Sequence, residues 1–562
     1  MNPDFGQVEA DPAVVNLSAF ETFFNERRPF FVEGSGNFNF GFDNGQLFYS
    51  RRIGRSPEGA GDLPGGDRIY TDSPSQTKIL GAGKLTGRVG PFSIGVLHAV
   101  TARERATVLN DALPVPSSFQ SAVEPTTNYF VGRVRREYAN QSSFGFILTS
   151  TDRRLDDDLR FLPSRALVGG VDVDWRFKSR YSLTGYWTGS DIQGDASAIE
   201  RIEKNSQHYF QRPDATAFHL DSSATNLSGA AARVDIRKIG GERIRFDSGI
   251  GVKSPGFDIN DLGFFQRADE TMMNNWLQIR SEKPSRWFRT RSLNFNQYAR
   301  WNFDRDLLGS GGNVNAHATF ANSWRIGGGL NVNRRYFDDR LSRGGPGGLF
   351  EDYNGVWFSV NSDDRHAVSF NYNGSVFADG HGSWTREYEP RVTLRPTPAL
   401  SMVGGVRIAT SVNDTQWVTN VTDTRAHYVF AQLAQTTVSF TGRLSYTMRP
   451  TLSLQLYAEP FVSAGDYSAF KELVDGRNPS YEERYSTYAY ASDPNFNYRS
   501  FRTTNVLRWE YKPGSTLFVV WQQAREQSVG DGQFRFARDF GGTFSTPGRN
   551  VFLVKLAYWL NY

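Results

Sequence analysis

Segments of about ten residues in which apolar and polar side chains alternate recur along the whole chain. In one of them, Val438, Phe440 and Leu444 alternate with Ser439 and Arg443. Because successive side chains of a β-strand point to opposite faces, this period of two predicts a strand with one apolar and one polar face. The same pattern fills residues 293–303, 368–376 and 452–459. We therefore predict an all-β fold.

The connections between these segments alternate between short and long. Turn-forming residues occupy short connections such as Met448–Thr451 and Lys512–Ser515, whereas Arg103–Thr126 and Ser463–Tyr498 are long. Short turns at one end and long loops at the other are typical of bacterial outer-membrane barrels. The pattern predicts a closed antiparallel transmembrane β-barrel of about 24 strands, within a range of roughly 22–26, spanning residues 45–562. Alternation is weakest in residues 415–433.

Composition excludes several other classes of protein. The chain has no cysteine, so it has no disulfide and no thiolate metal site. The mean hydropathy is −0.49, and no apolar run is long enough for a membrane-spanning helix. The net charge of +4 gives no reason to expect nucleic acid as a partner. A soluble propeller would also alternate, but no repeat of blade length is present.

Residues 1–44 do not alternate. Leu17, Phe20 and Phe24 are spaced as on one face of a helix after Asn16, and Pro29 ends the pattern. We predict a short helical and extended segment, acting as a plug in the lumen or as a periplasmic linker. Its charged side chains are expected to pair with charged residues of the wall. The plug candidates are Phe20, Phe23, Phe24, Glu26, Arg27, Arg28 and Glu33.

Charged side chains lie opposite the apolar positions of their own strands, so they point into the lumen if the apolar face meets lipid. One interpretation is a salt-bridged network that stiffens the wall. The other is a selective lining for anionic or sugar-like solutes, because Arg presents forked donors. The lumen-facing candidates are Arg133, Arg135, Glu137, Asp172, Asp174, Arg176, Arg233, Asp235, Arg237, Arg243, Arg245, Asp247, Arg300 and Arg443.

Catalytic and metal-binding motifs give no candidate. Residues 78–86 resemble a phosphate-binding loop only superficially, since Lys78 stands where the motif needs glycine. The seven histidines show no metal-ligand spacing. The acidic cluster of Asp152 and residues 156–158 is more typical of a solvated loop than of a calcium site. We expect no catalytic residue, no metal and no cofactor.

Four stretches carry a resemblance to a known family: Asn2–Pro12, Phe24–Gly34, Phe257–Phe264 and Arg508–Phe518. They resemble a large bacterial domain of unknown function that follows a carbohydrate-binding family 9-like module in outer-membrane proteins. The resemblance implies a barrel domain in the Gram-negative envelope, with the carbohydrate-binding module and signal peptide outside this sequence. The N-terminal residues lack a secretory signal, which fits a longer precursor.

The leading functional hypothesis is a channel or surface platform that binds or translocates glycans or other polymers, and its link to carbohydrate comes from the resemblance alone. A membrane-embedded, glycan-active hydrolase that uses carboxylates in the lumen or outer loops is an alternative, as is a structural scaffold of an envelope assembly. The expected partners are outer-membrane lipid and lipopolysaccharide, the barrel assembly machinery and a glycan ligand.

Overall fold

The chain is mostly β. A computed structural model describes residues 11–66, 68–111 and 117–559. Strands take 59% of the chain and helices 8%, and all sheets are antiparallel. The prediction of an all-β antiparallel fold is confirmed.

The strands are numbered in chain order. Those of the first half are β1 (Gly45–Gln46), β2 (Ile69–Asp72), β3 (Ile79–Val89), β4 (Phe92–Thr101), β5 (Glu104–Asn110), β6 (Ser117–Glu124), β7 (Thr126–Glu137), β8 (Ser143–Arg154), β9 (Arg165–Phe177), β10 (Tyr181–Gln193), β11 (Asn226–Lys238), β12 (Ile244–Lys253), β13 (Phe264–Phe265) and β14 (Glu270–Ser281). Those of the second half are β15 (Phe288–Trp301), β16 (Leu307–Phe320), β17 (Arg325–Arg334), β18 (Tyr336–Asp338), β19 (Gly348–Phe350), β20 (Asn354–Asn361), β21 (Val368–Ala378), β22 (Trp384–Thr397), β23 (Leu400–Thr422), β24 (Ala426–Arg449), β25 (Leu452–Leu473), β26 (Tyr485–Thr487), β27 (Phe496–Lys512), β28 (Ser515–Val529) and β29 (Gly548–Ala557).

The helices are short and lie outside the large sheet. They are α1 (Pro29–Val32), α2 (Ala196–Glu203), α3 (Tyr481–Arg484) and α4 (Phe536–Ser545), with 3₁₀ turns at Ser35–Phe38, Ser50–Arg52, Glu58–Asp62 and Asp157–Leu159. Within the described residues, no helix combines the length and the apolar character needed to cross a membrane.

Within the described residues, 22 strands form one large sheet, in which neighbours follow the order of the chain. One of them, β26, has only three residues and pairs with the end of β25, which also pairs directly with β27, so 21 longer strands run side by side. β1 and β13, β18 and β19, and β2, β5 and β6 form three small separate sheets. Short turns join strands at one end of the large sheet, as between β3 and β4, and longer connections such as residues 194–225 join them at the other. β3 begins at the end with the long connections, whereas β29 finishes at the end with the short turns.

The two faces of the large sheet differ in chemistry. One face, here called the covered face, carries Arg133, Asp172 and Arg233, which share a side because directly paired residues point the same way. The opposite face, here called the apolar face, carries large exposed side chains such as Trp187 and Ile236. The sheet therefore alternates as the sequence predicts.

Residues 11–66 and 68–78 precede the large sheet and are called the N-terminal layer. They pack on the covered face of β4 and β7–β11 in two apolar clusters. The first joins Phe40 and Phe42 to Ile147 and Tyr186, with Phe257 and Phe265 of the connection between β12 and β14. The second joins Phe30, Phe31, Phe38 and Ile53 to Leu97, Tyr129 and Val131. Burial of these aromatic rings fixes the layer against one side of the sheet.

Two boundaries differ from the sequence prediction. The large sheet begins at Ile79 rather than near residue 45, because Gly45–Gln46 pairs with Phe264–Phe265 and the residues after it form turns. In residues 415–433 the chain continues through β23 and β24 without an additional hairpin. Register shifts between Asn413 and Gln416, and between Trp417 and Thr419, interrupt the alternation there. The sheet therefore has 22 strands, counting the short β26, rather than 24.

The predicted helix of residues 17–24 is wrong. The side chain of Asn16 accepts a hydrogen bond from the backbone of Ser18, forming a local turn rather than a helix cap. The helix instead starts at Pro29, the residue expected to end it, because proline is favourable in the first turn.

Candidate ligand-binding cavity

A cavity of about 730 Å³ lies on the covered face where the N-terminal layer stops. The layer contributes Asp43, and the wall contributes side chains from β11 to β17. The polar and aromatic side chains that line it on this face are Asp43, Arg233, Asp235, Arg237, Asp247, Asn274, Trp276, Asn296, Tyr298, Arg300, Asn313, Asn331 and Asn333. Asn275 and Gln297 also border the cavity, but the strand register puts their side chains on the opposite face. Charged groups and neutral amides occupy different parts of this lining.

The charged part is a set of ion pairs. Arg233 donates to Asp235 at 2.6 Å and to Asp43 of the N-terminal layer at 3.1 Å. Arg237 lies 2.8 Å from Asp247. Each carboxylate is thus neutralised by a guanidinium, and the charge exposed to the cavity is small.

The neutral part is a ladder of asparagines across β15, β16 and β17. Asn296 is paired in register with Asn313, which is paired with Asn331. The amide of Asn296 donates to Asn313 at 2.8 Å, and Asn294 donates to Asn315 at the same distance. We name Asn294, Asn296, Asn313 and Asn315 the amide ladder.

The amide ladder retains hydrogen-bonding capacity for a ligand. A side-chain amide has two N–H donors and an oxygen with two lone pairs. The oxygen of Asn294 already accepts from Trp276 and Gln278, and the oxygen of Asn313 accepts from Asn296. Asn315 also donates to Asn313 at 2.6 Å. The capacity left for a ligand is therefore the second N–H of each amide and the oxygen of Asn296, and these groups are rigid and uncharged.

Aromatic groups lie beside the ladder. The indole nitrogen of Trp276 donates to Asn294 at 3.2 Å, and the Tyr298 hydroxyl donates to Asn333 at 2.9 Å. On the same face, the ring of Trp357 lies 5.6 Å from that of His317. Flat apolar rings next to directional amides can contact both the CH faces and the hydroxyls of a sugar.

A buried ion cluster lies in the long connections. Asp339 is fully buried and contacts Arg267 at 2.5 Å, Arg340 at 2.9 Å and Arg212 at 3.0 Å. Burial alone would raise the pKa of Asp339, but the guanidiniums of Arg267 and Arg340 hold that pKa well below its usual range. The cluster joins three connections, since Arg340 also donates to the backbone of Ser206 and Gln207.

The family model described as Domain of unknown function (DUF5916) matches residues 1–562. The chain belongs to this family. A search of curated proteins returned no match. Within the described residues, no group of three or more histidine, aspartate or glutamate side chains has a geometry that could hold a metal ion.

The charged residues singled out from the sequence lie on the covered face, except that Arg243 is in the turn before β12. Many of these residues form ion pairs between an arginine and a neighbouring carboxylate. Arg133 contacts Asp172 at 2.5 Å and is 1% exposed. Longer ion pairs join Arg135 to Glu137 at 3.8 Å, Arg176 to Asp174 at 3.5 Å and Arg300 to Glu270 at 3.6 Å. Arg245 is on the same face, and Arg443 lies 5.4 Å from the Tyr457 ring.

The predicted plug residues contact mainly the N-terminal layer itself. Glu26 pairs with Arg28 at 2.6 Å, and Arg28 donates to the backbone of Ser50 and Ile53. Burial would raise the pKa of Glu26, but its bonds to Arg28 and Ser50 lower it. Arg27 lies 3.8 Å from Asp11. The charges of Glu26 and Arg28 are therefore paired with each other within the layer.

The remaining plug candidates make aromatic and backbone contacts. The Phe23 ring lies 5.1 Å from both Tyr49 and Phe264. The backbone of Phe24 bonds the Tyr49 hydroxyl, and Phe20 accepts from Asn16. A contact with the wall comes from Lys84 of β3, whose ammonium donates to the carbonyls of Phe30 and Glu33.

Sequence reasoning missed the amide ladder. Its signal was the repeated spacing Asn-x-Asn, at residues 294–296, 313–315, 331–333 and 371–373. This spacing puts two amides on the same face of a strand.

Proposed function

We propose that this protein is an outer-membrane β-barrel that binds glycans, or related uncharged polar polymers, on its covered face and allows their passage along it. The observation that carries the proposal is the cavity of about 730 Å³, which is lined by Asn296 and Asn313 of the amide ladder and by the rings of Trp276 and Tyr298.

The membrane location is supported by the exposed apolar face. Leu330 is 61% exposed, Trp187 54% and Ile236 44%. Exposed apolar side chains at alternate positions would be unfavourable in water over so large a sheet, whereas lipid is their natural environment. The charged and amide side chains on the opposite face would then line the lumen.

Closure of the sheet is supported by the strand order, in which β29 is next to β3. Both strands run toward the end with the short turns, so this seam would be parallel. Closure would leave the N-terminal layer filling one side of the lumen, and the cavity would open on the other side.

Neutral polyhydroxylated ligands are supported by the chemistry of the lining. The arginines of the cavity are paired with carboxylates, so a free anion would have to compete with Asp43, Asp235 and Asp247. Amide groups bond hydroxyls without needing a counter-charge. This favours glycans over anionic solutes.

The test is single-channel conductance in planar bilayers, comparing the parent with a variant lacking residues 1–34. Removal of the first part of the N-terminal layer should raise conductance. Neutral oligosaccharides such as maltoheptaose, cellohexaose and xylohexaose should reduce the conductance in a saturable manner. Polyethylene glycol of equal hydrodynamic radius is the control, and its effect should not saturate.

The result that contradicts a transport role is zero conductance in both proteins. If the purified protein also released reducing ends from a glycan, the hydrolase alternative would replace the proposal.

A further inference from the structure

A row of polar side chains crosses the apolar face. Ile236 of β11 is paired with Ser248 of β12, which is paired with Asn275 of β14. Asn275 is paired with Gln297 of β15, and Gln297 with Gly312 of β16. Directly paired residues share a face, so Ser248, Asn275 and Gln297 lie on the same side as the exposed Ile236. We call these three residues the polar row.

The polar row lies inside the apolar band rather than at its edge. Along β12, Ser248 is flanked on the same face by Phe246 and Ile250, and Ile250 is 50% exposed. Along β15, Gln297 is flanked by Phe295 and Ala299. Apolar side chains therefore lie on both sides of the row along each strand.

The row is an oriented chain of hydrogen bonds that ends at Gln297. The Ser248 hydroxyl donates to Asn275 at 2.6 Å, and the Asn275 amide donates to Gln297 at 2.5 Å. Within the described part of the chain, no hydrogen bond from the Gln297 amide nitrogen is present. That side chain is exposed. Hydrocarbon offers no acceptor, so a lipid-facing amide in this position is costly.

The surface beside the row is open to close approach. Gln297 is paired with Gly312 of β16, and the next residue along β15 on the same face is Ala299, so its neighbours on that side are small. Small residues on a membrane-facing surface let another protein surface approach closely. The row itself carries no charge, so its partner needs no counter-charge.

We infer that two copies of this chain meet in the membrane along the polar row, with a twofold axis close to Gln297. An amide is both donor and acceptor, so it is complementary to itself, as an isologous interface requires. The Gln297 amide of each copy would find its acceptor on the other. This inference rests on the proposed membrane location.

The absence of cysteine allows a direct test by oxidative cross-linking in isolated outer membranes. Gln297→Cys should give a disulfide-linked dimer on treatment with copper phenanthroline. Phe370→Cys, on the same face of β21, is the matched control and should stay monomeric. In nanodiscs, native mass spectrometry should find the parent as a dimer. Gln297→Leu should weaken dimerisation about tenfold, because both copies lose an amide contact.

The outcomes separate the two proposals. A folded, urea-resistant membrane protein in which Gln297→Cys stays monomeric, or cross-links to a different protein, overturns the dimer alone. If Gln297→Cys does not fold, a monomeric parent in nanodiscs overturns the dimer in the same way. A parent chain that is extracted by urea as a peripheral protein overturns the membrane location, and the dimer with it.

Discussion

The covered face of the large sheet has a filled side and an open side, and the same strand pattern has different consequences on each. On the filled side, formed by β4 and β7–β11, Arg133 is 1% exposed because the N-terminal layer covers it. On the open side, formed by β20–β24, the side chain of Arg407 is 44% exposed. The two arginines occupy equivalent positions on the covered face of alternating strands, so the difference comes from the layer and not from the sheet.

The ion pairs of the two sides therefore contribute differently to the stability of the folded protein. A buried charge that loses its partner costs several kcal/mol, whereas an exposed pair contributes little. On the filled side the ion pairs connect the N-terminal layer and the long connections to the large sheet. On the open side they remain accessible to solvent or ligand.

The largest expected effect comes from Arg153 of β8, whose side chain is completely buried. It contacts Glu58 of the N-terminal layer at 3.0 Å and Asp261 at 2.5 Å. Arg153→Met leaves both carboxylates without this guanidinium, so the free energy of unfolding should fall by about 3–5 kcal/mol. The measurement is a urea titration of the refolded protein.

The matched control is Arg407→Met on the open side, which breaks the contact with Glu387 at 2.5 Å. Because this pair is partly exposed, the loss should be only about 0–1 kcal/mol. Equal losses in the two variants would show that the filled and open sides do not differ as described.

The second prediction concerns the opposite face. Leu444 of β24 lies on the apolar face, opposite Met402 and Leu456 in the neighbouring strands. Under the proposed membrane location, Leu444→Arg should lower the folding free energy into lipid vesicles by about 2–4 kcal/mol. Ser445→Arg, one residue along and on the covered face, should cost far less. Similar costs for the two variants would contradict the assignment of the faces.

Features that depend on local alternation could be predicted from the sequence. Arg233 and Asp235 are two residues apart in one strand, so their shared face follows from the period of two. The shared face allows a guanidinium nitrogen of Arg233 to lie 2.6 Å from a carboxylate oxygen of Asp235. The all-β class follows from the same local rule.

Features that depend on pairing between distant segments could not be predicted from the sequence. The pairing of Gly45–Gln46 with Phe264–Phe265 joins segments far apart in the chain, and neither is long enough to show alternation. The hydrogen bond from Asn296 to Asn313 requires the register of β15 against β16, which includes a shift near Arg300. Only the Asn-x-Asn spacing was visible in the sequence.

The third prediction tests the ion cluster of the long connections by pH. The pKa of Asp339 is lower in the folded protein than in the unfolded chain, because Arg267 and Arg340 overcome the effect of burial. Its stabilisation is therefore complete above the ordinary carboxyl pKa and decreases as the pH falls below it. Between pH 5 and pH 3 the parent should lose about 1–2 kcal/mol more unfolding free energy than Asp339→Asn. Parallel pH profiles would exclude this role.

The smallest effect on stability is expected in the cavity, where ligand binding is the sensitive measurement. Asn296→Leu removes one amide of the ladder, yet Asn313 still accepts from Asn315 at 2.6 Å, so no acceptor is left without a donor. The free energy of unfolding should change by less than about 1 kcal/mol.

The affinity of Asn296→Leu for a neutral oligosaccharide should fall about tenfold, as measured by block of conductance or by calorimetry. Asn373→Leu makes the same change on β21, outside the cavity lining, and should leave affinity unchanged. If both variants lose affinity equally, glycans bind the open side without using the amide ladder, and the cavity is not the binding site.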